Sequence, residues 1–470
     1  MPTGLRGGDM GGSVSPMPGP CVYRSNRVEA LVDALGELLA RPVCGPLETE
    51  PIVVANRGMA VWLSMQLARR FGVWSGAEFP FPRRFVGRML HAVLGEPAAG
   101  LALDERERLL WTVLPQLGAL LEAPAFAELR NYCREDPSGI ARFQLARQVA
   151  TLYDEYLVHR PELVLGWERG TGDDWQAELW RAVVAKRGPD HFAGLQDAFF
   201  SAVARAPERP GGLPPRVAVF GVSTLPPVLL RMLSALSRWI DVHMFVLSPS
   251  RQWWAGIRSH REVLRELRRA SADALPALDE GNPLLASLGA VGREFQAVLE
   301  AEADYVEPAA DLYVDPAHDS ALAIVQSDLL QLRWRGRDVL GRSTATPLPL
   351  APDDDSIAVF ACHSRLREVE VLHDRLLDLL VRDPTLQPRD IVVLATDVDT
   401  YAPLVEAVFE RDRSDPTLLP WCIADRSARA ESPTLEAWSR ILALVGGRTT
   451  ASEVLDLLVL EPVQLRLGIA

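Results

Sequence analysis

The chain has 470 residues, enough for two or three domains with sizeable cores. Its 48% apolar and 24% charged residues are those of an ordinary soluble globular protein, and no uninterrupted apolar run reaches membrane-spanning length. The net charge of −13 counts against a dedicated nucleic-acid binder, because such domains usually carry a basic surface, although an acidic chain can still enclose a basic channel. The five cysteines, Cys21, Cys44, Cys133, Cys362 and Cys422, are scattered, odd in number and without a CxxC pair, which argues against a disulfide framework and structural zinc. Of the 49 basic residues only Lys186 is a lysine. That bias is a habit of genome composition, but it decides several chemical questions below.

Residues 1–20, rich in Gly and Pro and without the apolar stretch of a signal peptide, read as a disordered leader, and the protein as cytoplasmic. Val22-Tyr23 and Val28–Leu39 make a strand-like entry and an amphipathic helix with Leu31, Leu35, Leu38 and Leu39 on one face. In "PIVVANRGMAVWLSMQLARRFG", Ile52–Ala55 predicts a buried strand, Asn56-Arg57-Gly58 a turn and Met59–Phe71 a helix. Two strand–turn–helix units in succession are what a parallel α/β sheet supplies. From about Phe85 to Ala206 the spacing turns to threes and fours, as in "RFQLARQVATLYDEYLVHRP". The sheet pattern returns with Val217–Phe220 as a strand, Gly221–Thr224 as a turn, a helix opened by Pro226-Pro227, and "IDVHMFVLSP" as another strand. "TPLPLAPDDDS" is a linker, and "SIAVFACHS", "RDIVVLATD" and "LPWCIAD" predict strands of a second α/β domain with helices between them. The expected domains are therefore 21–90 and 207–345 as the two parts of a first α/β domain, 91–206 as a helical insertion, and 346–470 as a second, truncated α/β domain. Leu442, Leu444 and Leu455 are expected to be left uncovered by that truncation.

The turn Arg24-Ser25-Asn26-Arg27 sits where a strand–helix unit would cradle phosphate, yet it lacks the glycines that let backbone N–H groups close on an anion, and it lacks a lysine. Lys186, in "VVAKRGPDH", follows no glycine loop and reads as a surface helix residue. The strand before Gly221 ends Val219-Phe220 and offers no carboxylate to Mg²⁺. Asp353, Asp354 and Asp355 form a carboxylate run, but between prolines and serines it reads as a solvated loop rather than a nuclease centre. His243, His363 and His373 have no metal-ligand spacing, and His363-Ser364 lacks a third partner for nucleophilic catalysis. Catalytic, cofactor-binding and metal sites are thus all expected to be absent.

The stretches "VYRSNRVEAL", "GMAVWLSMQLARRFG" with "FPFP", "YDEYLVHRP", "VFGVSTLPP", "GNPLLASLG", "HSRLREVEVLHDRLL" and "PRDIVVLATDVDTYAP" run in order from Val22 to Pro403. Together they resemble the RecC family, gamma subunits of exodeoxyribonuclease V (the RecBCD complex). The resemblance implies two helicase-like parallel-sheet domains of superfamily-1, P-loop type with a helical insertion and degenerate ATPase motifs. It also implies that Thr396-Asp397 stand where a working motor has an arginine, and that the family extends beyond this chain. The implied function is a non-catalytic scaffold that guides unwound strands and inspects the 3′-terminated strand for a Chi-like sequence during double-strand-break repair. Implied partners are RecB-like and RecD-like subunits in a heterotrimer, which would use the ATP and Mg²⁺, and forked or single-stranded DNA, with no membrane. Two rivals stay open: an autonomous ATP-dependent subunit of AddB type, and a pure assembly protein without DNA contact.

For DNA contacts the resemblance points to Arg57 and Gly58 in the turn after the second strand, where Arg57 meets a phosphate or is merely an exposed residue near a helix start. Trp62, spaced with Met59, Leu63 and Leu67, reads as core. Phe79, Phe81 and Phe85, interleaved with prolines beside Arg83 and Arg84, suit either base stacking or packing. In "YDEYLVHRP" and just before it, Leu152, Asp154 and Arg160 match residue types the family uses to inspect the strand, with Asp154 as acceptor for a cytosine amino group and Arg160 as a fork onto guanine or phosphate. Ala55, Arg57, Val61, Gly87 and Phe192 differ in type from the family's best-known pattern at such positions.

Overall fold

The structure, a computed structural model, describes residues 19–45, 47–95, 105–134, 136, 138–268, 281–337, 341–412, 414, 415, 417–423, 432–446 and 449–469. The chain divides into two compact units between Ser356 and Ile357. Strands of the first unit are β1 (Cys21–Ser25), β2 (Glu50–Val54), β3 (Ala77–Glu78), β4 (Arg216–Phe220) and β5 (Asp241–Leu247). They form one fully parallel sheet in the order β1-β5-β4-β2-β3. Between them run α1 (Val28–Leu39), α2 (Arg57–Phe71), α3 (Pro82–Leu94), α4 (Glu105–Leu120), α5 (Ala127–Cys133), α6 (Ile140–His159), α7 (Pro161–Glu168), α8 (Trp175–Arg187), α9 (Phe192–Arg205) and α10 (Pro227–Leu236). Downstream lie α11 (His260–Leu267), α12 (Pro283–Leu288), α13 (Ala290–Glu302) and α14 (Ala321–Leu330).

A strand buried on both faces must be apolar at every position, and the sequence of the central strands obeys this. Ile52, Val54, Ala218, Phe220 and Phe245 face α1 and α2, where Leu31, Leu35, Leu63 and Leu67 complete one core. Val53, Val217, Val219, Val242 and Met244 face the other way, into a larger core shared with α3, α10 and the helices of the 82–205 segment. Alternation along each strand therefore divides one apolar run between two layers. Helix α1 has the bounds expected from its leucine spacing, while α2 begins at Arg57, with Asn56 capping the Met59 N–H at 2.8 Å. The short β3 carries no sequence signal and owes its place to the edge of β2. Gly221 closes β4 at φ 62°, a conformation costly for any residue with a Cβ. Of the expected leader, residues 1–18 lie outside the described residues. Gly19 and Pro20 are buried rather than disordered, with the Val306 N–H donating to the Pro20 carbonyl at 3.0 Å.

The second unit departs from expectation. Its described elements are all helical: α15 (Arg365–Arg382), α16 (Val398–Phe409), α17 (Pro433–Gly446), α18 (Ala451–Leu458) and α19 (Glu461–Leu467), with one 3₁₀ turn. Among the described residues, "SIAVFACHS", "RDIVVLATD" and "LPWCIAD" join no ladder, and the last two residues of the third lie outside them. Val359 and Leu394 are each 91% exposed. An apolar run becomes a strand only when a neighbour takes its backbone hydrogen bonds, and local sequence does not supply that neighbour. A small core of Val369, Phe409 and Leu419 holds α15 to α16. Leu442 and Leu455 are exposed and Leu444 half-buried.

His243 on β5 is buried beside Tyr23, whose hydroxyl lies 3.4 Å from Nδ1. Burial first, then the charge of Arg216, push its pKa down to about 4. A depressed folded value means that the unfolded chain binds the proton more readily, so stability is lost as pH falls from about 6.5 through 4. The loss should reach about 3 kcal/mol below that window. Urea melts of wild type and His243→Phe between pH 7 and 4 check this: a variant as acid-sensitive as the parent would remove His243 from the account.

Candidate nucleic-acid interface

In an open parallel sheet, ligands are met at the carboxyl ends of the strands. The turn after β1 is at that edge, and the chain itself occupies it. Arg24 donates to Glu307 Oε1 at 2.6 Å and to the Tyr305 hydroxyl at 2.9 Å. Ser25 Oγ donates to the Leu312 carbonyl at 2.6 Å and accepts the Arg27 N–H at 3.0 Å. Asn26 pairs twice with the Val314 backbone, at 2.8 and 2.9 Å. Segment 305–314 thus straps the turn, engaging three of the four side chains that would face a phosphate. Lys186 stands exposed in the last turn of α8.

The turns after β3 and β4 are different. With α3, α4, α6 and α9 they enclose a cavity of about 300 Å³, lined by Phe81, Arg83, Val86, Gly87, Arg106, Asp154, Glu155, Phe192, Leu225 and Leu229 among others. Of the residues expected to contact DNA, Phe81 and Asp154 are brought together here. Leu152, half-buried, and Arg160, exposed between α6 and α7 with its guanidinium 6.0 Å from the Tyr156 ring centroid, do not line it. Arg57 and Gly58 are exposed in the first turn of α2, also outside the lining. The three phenylalanines separate by environment: Phe85 is in the core, Phe79 packs against the α1–α2 layer with Trp62, and Phe81 is 49% exposed at the cavity.

Asp154 lies differently from the open acceptor that its sequence context suggests. Its side chain is 2% exposed, and both oxygens are taken. Arg83 binds it in fork geometry, through Nη1 to Oδ2 at 2.7 Å and through Nη2 to Oδ1, and Arg106 Nε donates to Oδ2 at 2.9 Å. Burial works to raise the carboxyl pKa, but the hydrogen bonds and charges of the two guanidinium groups outweigh it and hold the group below its ordinary value. The groups that face solvent are the arginines, whose side chains are 47% and 61% exposed. Nothing local in the sequence marks Arg106, since it reaches Asp154 from 48 positions away.

A second polar cluster resembles a hydrolase triad in composition only. Ser327 Oγ donates to Asp315 at 2.6 Å, lies 2.8 Å from His318 Nε2 and accepts from Arg333 at 2.6 Å. Ser327 is fully buried, and its proton points to a carboxylate rather than to a base, so the cluster fastens segment 315–335. Asp354, from the acidic run, accepts the Ala321 N–H at 2.6 Å at the start of α14, whose N-cap is Ser320. Among the described residues no group of three His, Cys, Asp or Glu side chains has metal-binding geometry, and no single helix is long and apolar enough to cross a membrane.

Comparison with known proteins gives a match to the family model for the RecC N-terminal domain over residues 21–332. The RecBCD enzyme subunit RecC of Escherichia coli K12 is 38% identical over 477 residues, covering 93% of this chain and 42% of that protein. The subunit of the same name from Haemophilus influenzae is 30% identical over 512 residues, covering 96% and 44%. That from Mycobacterium tuberculosis H37Rv is 32% identical over 480 residues, covering 96% and 41%. The chain therefore spans about two-fifths of the length of these relatives.

Proposed function

Because this chain belongs to the RecC family, we propose that it is a non-catalytic scaffold and DNA-reading part of a RecBCD-type helicase–nuclease (exodeoxyribonuclease V) that acts in recombinational repair of double-strand breaks. The two units correspond to helicase-like domains of superfamily-1 type whose motor chemistry has decayed, with the helices of 91–206 as an insertion. RecB-like and RecD-like subunits supply ATP and Mg²⁺ chemistry, in the cytoplasm, and this chain guides forked and single-stranded DNA past the cavity at the carboxyl edge of its sheet. Inspection of the 3′-terminated strand for a Chi-like sequence is part of the same reading, with Arg57, Gly58, Phe81, Leu152 and Arg160 as contacts along the path.

The observation that carries the non-catalytic part is the strap. A phosphate loop presents free backbone N–H groups, a lysine and a hydroxyl for Mg²⁺. Here Ser25 and Asn26 are already bonded to segment 305–314, and no lysine lies in the turn. The AddB-type alternative requires those groups. We expect no saturable binding of a fluorescent ATP analogue at micromolar concentration, with or without Mg²⁺. We also expect Arg27→Ala to leave the ATPase rate of a reconstituted complex within about twofold, well under one tenfold step of 1.4 kcal/mol. Saturable binding competed by ATP would return the chain to the motor class. Photocrosslinking to forked DNA separates a DNA reader from a pure assembly protein.

A further inference from the structure

We propose that Arg83 and Arg106, held by Asp154, form a two-guanidinium seat for one phosphate of a single strand, with the adjoining base entering the cavity. The inference rests on the DNA-reading function above and deepens it, because it reassigns the contact from the buried aspartate to its two arginine partners.

The geometry separates holding from reading. A carboxylate 2% exposed with both oxygens engaged has no acceptor to offer a base, whereas each arginine is about half in solvent. Arg106 meets the carboxylate through Nε, so its terminal nitrogens are not used in that contact. Guanidinium groups with fixed orientation match phosphate oxygens better than mobile ones, since the ordering is already done before the anion arrives. Behind them the wall is apolar and aromatic, with Phe81, Val86, Phe192, Leu225 and Leu229, and the volume of about 300 Å³ is at the low end for a small-ligand site. Cations at the rim and an aromatic, apolar interior are the complement of a nucleotide unit. Glu155 lines the same cavity and opposes an anion, but it is exposed and screened by water. Its opposition gives the test a second sign.

The experiment is binding of a short fluorescein-labelled oligothymidylate to the 470-residue chain by anisotropy across a salt series. Arg83→Ala and Arg106→Ala should each weaken binding about tenfold and reduce the slope of log affinity against log salt by about 0.7, the value for one lost single-strand phosphate contact. Each leaves Asp154 one arginine, and urea midpoints control for folding. Asp154→Asn should lower affinity in the same way by releasing both arginines, Arg83→Lys should keep the slope, and Glu155→Gln should strengthen binding. Parental affinity and slope in both alanine variants, with the oligonucleotide still bound, would overturn the seat and leave the proposed function standing. Absence of oligonucleotide binding by the parent at low salt would instead remove the DNA contact itself.

Discussion

Replacing Arg216 by Ala should destabilise the first unit by about 3–5 kcal/mol, the range for removing one partner of a buried ion pair. Arg216 opens β4 and is 4% exposed, and Glu50 opens the neighbouring β2 at 11% side-chain exposure. The pair is bidentate, with Nε to Oε2 at 2.7 Å and Nη2 to Oε1 at 2.8 Å, and Nη1 continues to the Leu38 carbonyl at the end of α1 at 3.0 Å. One guanidinium thus ties two strands and a helix at the amino edge of the sheet. Its loss leaves a carboxylate and a carbonyl buried without their partner, which is more costly than never having had the pair. Glu50→Leu with Arg216→Met should accordingly recover most of the loss. The urea midpoint is the measurement, with the slope required to stay constant. A single variant less than about 1 kcal/mol below wild type would show that water reaches the site and that the clamp is unimportant. Arg216 also lowers the pKa of His243, so Arg216→Ala should reduce the acid sensitivity described above.

Trp180→Ala should remove about 3–5 kcal/mol, as expected for truncating a fully buried aromatic. Trp180 is 1% exposed on α8 and meets Tyr153 of α6 edge-on at 5.1 Å between ring centroids. Its Nε1–H donates to Glu168 Oε1 at 3.0 Å. The same oxygen lies 2.8 Å from His191 Nε2, and His191 Nδ1 accepts the Gly194 N–H at 3.2 Å, which puts the proton of a neutral ring on Nε2. The cluster joins α6, α7, α8 and the start of α9. Tyr153 also precedes Asp154, so a cavity at Trp180 loosens the wall that holds the arginines. Thermal unfolding and oligonucleotide affinity should fall together in Trp180→Ala, whereas Trp180→Phe should keep most of both. Loss of stability with fully retained affinity would separate the core of α6 to α9 from the site.

The sequence alone determined what depends on a few adjacent residues. Leucine spacing set the bounds of α1, and the apolar runs around Ile52, Val217 and Val242 became central strands because both faces of a parallel sheet are dry. That Arg24-Ser25-Asn26-Arg27 holds neither glycine nor lysine was likewise legible, since residue identity does not depend on the fold. Tertiary structure decided the rest, and for one reason. A polar group's role is set by its partner, and these partners come from far along the chain: Arg83 reaches Asp154 across 71 positions, and Leu312 meets Ser25 across 287. Periodicity placed Asp154 on a helix but could not say that its oxygens were already taken. Composition made Phe79, Phe81 and Phe85 equivalent, and only packing put Phe81 at the cavity while Phe85 went to the core. The apolar runs at Val359 and Leu394 read as strands by the same rule that succeeded at Ile52, yet a strand needs a neighbour, and the hydrogen bonds that supply one are not written in the run itself.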